Sequence, residues 1–387
     1  MPPIWDCFAT ETRILFINAS HARLGIDFFT SRANVAAEDN MNDVTAQFGT
    51  TDGRFAARLP DILREVCAAT GFEPGEEIWR GRVVAAEKVA TQIVSGTWQG
   101  KPAALKLQGI PLQFEEAELI RRFTIMNASE RIRAPQVYQH EPWDASRGYG
   151  WTIMELVQMR LPIYSPPDAP ERARRRFADF YVEFHGKTAQ HPFFPNEEPM
   201  LDTPAFLEKR LLTWLDINAT APEHNRMLVG EQRALVAAYK LQIAARGPEL
   251  PMIFTHGHLG PRDIVCEGIG KYVLFGHAFW GWRPLWYDLA FNVWINLMAA
   301  GEHAVPSDVG LRQIVEDWAA TYAQLPMAMS DHHFIRNFRF MMIERCIGAL
   351  LVDIPAGVRS AEGEQARSGH REAVYVLARR MLKELGG

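Results

Sequence analysis

Four cysteines in 387 residues, Cys7, Cys67, Cys266 and Cys346, are too few and too scattered for a disulfide framework, and none sits in a CxxC pair. Such usage implies reduced thiols in an intracellular chain. An excess of one charge sign is also lacking: 41 Lys and Arg face 46 Asp and Glu, so neither nucleic acid nor an anionic membrane is implied as a partner. The compact basic run Arg172 to Arg176 (RARRR) reads as the solvated face of a helix. Long apolar runs are missing too. The longest, around Ala290 to Ala300, is broken by Asn292 and Asn296 and is too short to span a bilayer. The first residues, MPPIWDCFATETR, lack the basic-then-apolar pattern of a secretion signal. Internal repeats, low-complexity segments and a GxGxxG motif are absent. The expectation is a soluble, cytoplasmic protein that works without membrane or nucleic acid.

Aromatic residues, by contrast, are plentiful. Of 11 Trp, three crowd one short segment: Trp280, Trp282 and Trp286. They have two readings, as core packing against later helices or as an aromatic wall around a pocket for an apolar or cationic ligand.

Along the chain, residues 1–58 show little periodicity beyond a strand-like run, Ile14 to Ile17. Residues 59–70 (LPDILREVCAAT) carry apolar residues at helical spacing, with Pro60 near the start and Gly71 past the end. Residues 77–157 alternate as strands do, with a turn near Gly100-Lys101 and a helix from Phe114 to Phe123. From 158 onward the pattern is helical, with segments at 172–187, 206–215, 231–246, 308–325, 331–351 and 364–385. Pro306, Pro326 and Pro355 separate the last of these. One non-helical stretch stands among them. Met252 to Thr255 reads as a strand, His256 to Asp263 as a polar loop, Ile264-Val265 as a hydrophobic pair, Glu267 to Gly270 as a turn, and Tyr272 to Phe275 as another strand.

That stretch, His256-Gly257-His258-Leu259-Gly260-Pro261-Arg262-Asp263-Ile264-Val265, then Phe275-Gly276-His277, then Tyr287-Asp288-Leu289-Ala290, resembles the catalytic half of the aminoglycoside phosphotransferase family. This is the choline-kinase-like branch of the protein kinase fold, whose members carry H-G-D-L-H-P-G-N-(I/V)-(L/V), I-D-W/F and Y-D-L-A. The resemblance extends over roughly 77 to 350. It implies an α+β, two-lobe fold: an N-terminal extension (1–76), a β-rich small lobe (77–157) and a helical large lobe (158–387). Lys106 ends the strand whose Lys pairs with nucleotide phosphates in the family, and Glu116 matches the helix Glu that holds it. Both also read as ordinary surface charges. Residues 151–157 match the hinge strand, with Met159 where a glycine is usual, at the mouth of the cleft.

The family's chemistry does not carry over. Its loop Asp orients the attacking hydroxyl, and a loop Asn with a second Asp on the next strand holds Mg²⁺. His258, Asp263 and Gly276 stand at those places. Glycine offers no ligand atom and imidazole is a poor partner for Mg²⁺. A His beside a carboxylate is a workable general acid or base, so His258 and Asp263 are candidate catalytic residues, with His277 as a second titrating group. His258 also reads as an inert polar replacement. Zinc on His256, His258 and His277 is chemically conceivable, but the resemblance turns His256 inward as a structural hydrogen-bonder. The expected function is cofactor-independent isomerisation, elimination or cyclisation of a small apolar organic molecule, bound by Trp280, Trp282, Trp286 and Met159. Lys106 and Glu116 serve only if nucleotide binding persists. A catalytically inactive binding protein and a residual ATP-dependent phosphotransferase are the alternatives.

Overall fold

Apolar residues four, three and four apart, Phe55, Leu59, Ile62 and Val66, fold the first described segment into α1 (Arg54–Thr70). A computed structural model describes residues 54–83, 88–111, 115–157, 161–166, 169–188, 201–220, 226–303, 305–356 and 361–386. Cys7, the run Ile14 to Ile17 and Met159 lie outside them. The helix starts a turn earlier than the sequence pattern predicts, because Phe55 extends the apolar stripe. Pro60 therefore falls inside it, on the exposed side.

The apolar stripe of α1 covers one face of a five-stranded antiparallel sheet. Its strands are β1 (Glu73–Val83), β2 (Lys88–Trp98), β3 (Lys101–Gln108), β5 (Val137–Asp144) and β6 (Tyr149–Glu155), in the order β1-β2-β3-β6-β5. Leu105, Leu107, Trp151 and Ile153 meet the helix from the sheet. Gln99 and Gly100, both at positive φ (51° and 73°), make the two-residue turn between β2 and β3. Between β3 and β5 come α2 (Glu116–Met126) and the short β4 (Ile132–Arg133). Helix α2 buries Leu119, Ile120 and Phe123.

The larger part is mostly helical. It comprises β7 (Leu161–Pro162), α3 (Glu171–Lys187), α4 (Thr203–Thr220) and α5 (Val229–Arg246). The strands β8 (Met252–Thr255), β9 (Ile264–Gly268), β10 (Lys271–Leu274) and β11 (Gly281–Pro284) follow. Helices α6 (Tyr287–His303), α7 (Asp308–Tyr322), α8 (Phe334–Gly348) and α9 (Ala361–Gly386) complete it. β9 and β10 form the hairpin that the sequence predicts, turning at Gly270, and lie in a small sheet ordered β4-β10-β9-β7. The Trp-rich segment holds a surprise for the sequence reading: it forms β11, which pairs antiparallel with β8 from Gly281 opposite Thr255 to Pro284 opposite Met252.

The apolar run of 290–300 is the central helix α6, with Ala290, Phe291, Val293, Trp294 and Leu297 in the core. Its two asparagines are satisfied by buried phenols. Tyr164 donates to Asn292 Oδ1 (2.6 Å), Asn292 Nδ2 donates to Tyr322 (2.8 Å), and Asn296 Nδ2 donates to Tyr164 (2.8 Å). No helix among the described residues is long and apolar enough to cross a membrane.

Candidate functional site

The loop from His256 to Asp263 hangs between β8 and β9 and is pinned from below by Asp288 in the first turn of α6. Asp288 is fully buried. One carboxylate oxygen accepts the Gly257 amide (2.8 Å) and the other accepts the Thr255 hydroxyl. Burial pushes its pKa up, while those two donors and the Arg283 and His256 side chains pull it back. Gly257 itself sits at φ +77°, and a Cβ there would lie 2.7 Å from the Phe279 carbonyl, so only glycine lets the loop pass. The sequence reading treated Tyr287 to Ala290 as a family signature; the structure gives its Asp a physical task.

His256 points inward, as the resemblance implies. Its ring is buried and its Nε2–H donates to the Phe275 carbonyl (2.7 Å), tying the loop to the end of β10. Burial lowers its pKa, so the ring is neutral and its Nε2 is committed.

His258 and Asp263 come together. His258 Nδ1 lies 3.1 Å from Asp263 Oδ2, and the same oxygen accepts the Gly260 amide (2.9 Å). The Asp263 carbonyl takes the Phe275 amide (2.8 Å), so the carboxylate is fixed at both ends of its residue. The His258 ring stacks on Phe279 (centroids 4.3 Å apart, planes 19° apart) and packs on Phe291 (4.6 Å). Both side chains keep some solvent contact, 14% for His258 and 17% for Asp263. With Nδ1–H directed at the carboxylate, a neutral ring carries its lone pair on Nε2, the arrangement a general base needs.

Gly276 adjoins this pair. It has φ +74°, and a Cβ there would lie 3.3 Å from Asp263 Oδ1 and 3.2 Å from His256 Cε1. The carboxylate of the resembled family's strand would thus crowd the one that Asp263 supplies. One carboxylate, one imidazole and a bare glycine do not make an oxygen cage for Mg²⁺. Among the described residues, no group of three or more His, Cys, Asp or Glu could hold a metal.

His277 takes a different position from the one expected of a titrating group in the cleft. It is fully buried, edge-on to Phe123 of α2 (4.8 Å), and neither ring nitrogen has a hydrogen-bond partner among the described residues. Burial first, then His256 and Lys106, hold its pKa well below the usual histidine range. Trp280 and Trp286 are core residues, 3% and 1% exposed. Trp280 packs among Phe123, Phe184 and Phe254, and Trp286, at φ +72°, donates to Asp331 (3.0 Å) against the edge of Phe334. The expected aromatic wall is therefore mostly interior packing. Only Trp282, beside Phe254, is half-exposed.

In the small lobe, Lys106 of β3 and Glu116 of α2 form an ion pair with side chains 19% and 11% exposed. A cavity of about 400 Å³ lies at the hinge, between Lys101, Tyr138, Glu155, Leu156, Val157 and Glu267. It does not reach His258.

A small antiparallel lobe, a strand-end hinge and a helical lobe with its polar loop between β8 and β9 define the protein-kinase-like fold of small-molecule phosphotransferases. The particular neighbours bear this out. The chain is similar to the crystal structure of aminoglycoside phosphotransferase APH(4)-Ia (12% identity, 85% of this chain and 100% of that chain, TM-score 0.54). It is also similar to a microcompartment-associated aminopropanol kinase (12% identity, 84% of this chain and 98% of that chain, TM-score 0.58). A thermostable mutant of APH(4)-Ia, in ternary complex with ADP and hygromycin B, matches at TM-score 0.50, with 12% identity over 82% of this chain and 97% of that chain. No protein-family model matches, and no curated protein matches in sequence. Identities this low establish the fold alone.

Proposed function

We propose that this chain is an enzyme acting on a small organic molecule in the kinase-like cleft, with His258 as general acid–base and Asp263 as its orienting partner. The reading rests on the 3.1 Å contact between His258 Nδ1 and Asp263 Oδ2 beside a glycine that leaves no room for a second carboxylate. Asp263 fixes the tautomer and stabilises the imidazolium that forms when Nε2 takes a proton from a C–H or O–H of the substrate. The same proton is then returned at another atom. Isomerisation, elimination and cyclisation all fit, because none needs a metal, a cofactor or an oxidant. The cleft, with its fold neighbours' use of small molecules, supports a small-molecule partner; with Trp280 and Trp286 in the core, little supports a strictly apolar one.

The test is turnover in D₂O. The purified chain is incubated with fractionated small-metabolite extract, and deuterium incorporation is followed by mass spectrometry. A metabolite that gains deuterium with the native chain but 10²–10⁴-fold more slowly with His258→Ala supports the reading. Equal incorporation by both removes His258 from the chemistry.

A second reading, residual nucleotide binding, is favoured by the Lys106–Glu116 pair. A magnesium-dependent rise in unfolding temperature with millimolar Mg·ATP supports it, and the absence of any rise assigns the cleft to another ligand.

A further inference from the structure

Behind the loop, three arginines from three elements converge on one phenol ring. Arg210 (α4), Arg283 (β11) and Arg345 (α8) place their guanidinium carbons 5.3, 5.9 and 5.8 Å from the centre of the Tyr287 ring. All three are buried, at 9%, 3% and 4% exposure. The carboxylates beside them are two, Glu344 and Asp288, both buried. Glu344 accepts from Arg210 Nε (2.8 Å), and Asp288 is held by Gly257 and Thr255. Among the described residues the cluster thus carries one positive charge more than its acids cancel. A buried charge without a counter-charge is costly unless something of opposite sign is available.

Arg283 shows where the deficit lies. Its two terminal nitrogens donate to the carbonyls of Trp282 (2.8 Å) and Phe279 (3.3 Å), but its Nε, in a side chain that is almost wholly buried, has no partner. That Nε faces the loop: a Cβ on Gly257 would stand 3.0 Å from it. Burial drives the Arg283 pKa down to about 10, so the group remains a cation at neutral pH and retains its need for a counter-charge.

We propose that this arginine cluster is the anion-accepting part of the site and that the substrate is an organic carboxylate, drawn to the loop by the excess buried charge at Arg283. The assignment rests on the reading of the His258 loop as the active site and names the substrate class for it. A monocarboxylate is matched in magnitude to a surplus of one. Attraction through a low-dielectric wall also orients the ligand with its acid group toward Gly257 and its reacting carbon toward the solvent-touching side of the loop.

The experiment is thermal unfolding of the full chain at constant ionic strength, with sodium acetate and sodium pyruvate as carboxylate probes and sodium phosphate as a third. Sodium chloride serves as the blank and choline chloride as the cationic control. The expected result is a saturable rise of about 1 °C or more with millimolar carboxylate, absent with choline. Arg283→Met removes the surplus and abolishes the rise, whereas the exposed-surface change Arg121→Ala preserves it. Glu344→Gln keeps an acceptor for Arg210 but adds a further unit of surplus, so half-saturation moves to severalfold lower carboxylate concentration. This variant keeps the inference testable if Arg283→Met does not fold. No saturable rise with carboxylate, a rise with phosphate alone, or the same half-saturation in the native chain and Glu344→Gln overturns it. Because these readouts are binding, they fail or succeed independently of the deuterium assay on His258.

Discussion

The Lys106–Glu116 pair of the small lobe and the His256–Asp263 loop of the large lobe are two parts of one cleft with opposite histories of change. In the small lobe the side chains of the resembled family stand in place and make the expected ion pair. In the loop the backbone is kept, with its left-handed glycine, its inward histidine and its Asp288 anchor, while the side chains facing the cleft differ. Scaffold and chemistry are thus separable. Loop shape depends on Gly257, Thr255, His256 and Asp288, none of which needs to touch a substrate.

The sharpest way to break this comparison is Asp288→Ala. It leaves the buried Gly257 amide and Thr255 hydroxyl without their acceptor, and the expected loss is about 3–5 kcal/mol in urea-monitored stability. A loss under about 1 kcal/mol would mean that the loop keeps its shape by other means.

Lys106→Met attacks the conserved half instead. It strands the Glu116 carboxylate at 11% exposure, for an expected cost of about 1–2 kcal/mol. Any Mg·ATP-dependent rise in unfolding temperature should disappear with it. A rise that persists would show that the pair has no part in ligand binding.

Asp263→Asn combined with Gly276→Asp moves the single carboxylate back to the strand side. Mg²⁺ should then raise the unfolding temperature by about 1 °C or more over the metal-free variant, an effect small or absent in the native chain. Equal magnesium responses in the two proteins would mean that Asp263 already serves as a metal ligand.

The smallest expected effect has the opposite sign. His277→Phe replaces two unpartnered buried nitrogens by apolar surface against Phe123, and should gain about 1 kcal/mol at pH 8. It should also flatten the acid side of the stability curve. The folded-state pKa of His277 is depressed, so below about pH 6.5 the unfolded chain takes up a proton that the folded chain refuses. The stabilisation belonging to the neutral ring is complete above that pH and is lost as pH falls through it. Removing the imidazole should reduce the slope by up to about 1.4 kcal/mol per pH unit. An unchanged slope would place a proton acceptor beside the buried ring.

Local pattern made much of this protein legible. β8 has the bounds that alternation and turn residues predict, and the β9–β10 hairpin turns where they place it, because a two-stranded ribbon is specified by neighbours in sequence. The helices of the large lobe follow their apolar periodicity to within a few residues. Lys106 and Glu116 were identifiable by their order ahead of the loop. Side-chain direction was not. Nothing local distinguishes Trp280 and Trp286, which the core absorbs, from Trp282, which it leaves half-exposed; the choice follows from the pairing of β11 with β8, a contact between segments separated by the whole loop.

His277 turns inward for the same reason, since it occupies the place against α2 where an aromatic ring packs. Arg210, Arg283 and Arg345 appear in the sequence as three unrelated basic residues. Only the convergence of α4, β11 and α8 puts them in one dry environment around Tyr287, with one acid too few. Periodicity and turn chemistry are properties of short windows, and the sequence determines them unaided. Which charges share a low-dielectric interior depends on packing between distant elements, and only the tertiary structure decides that.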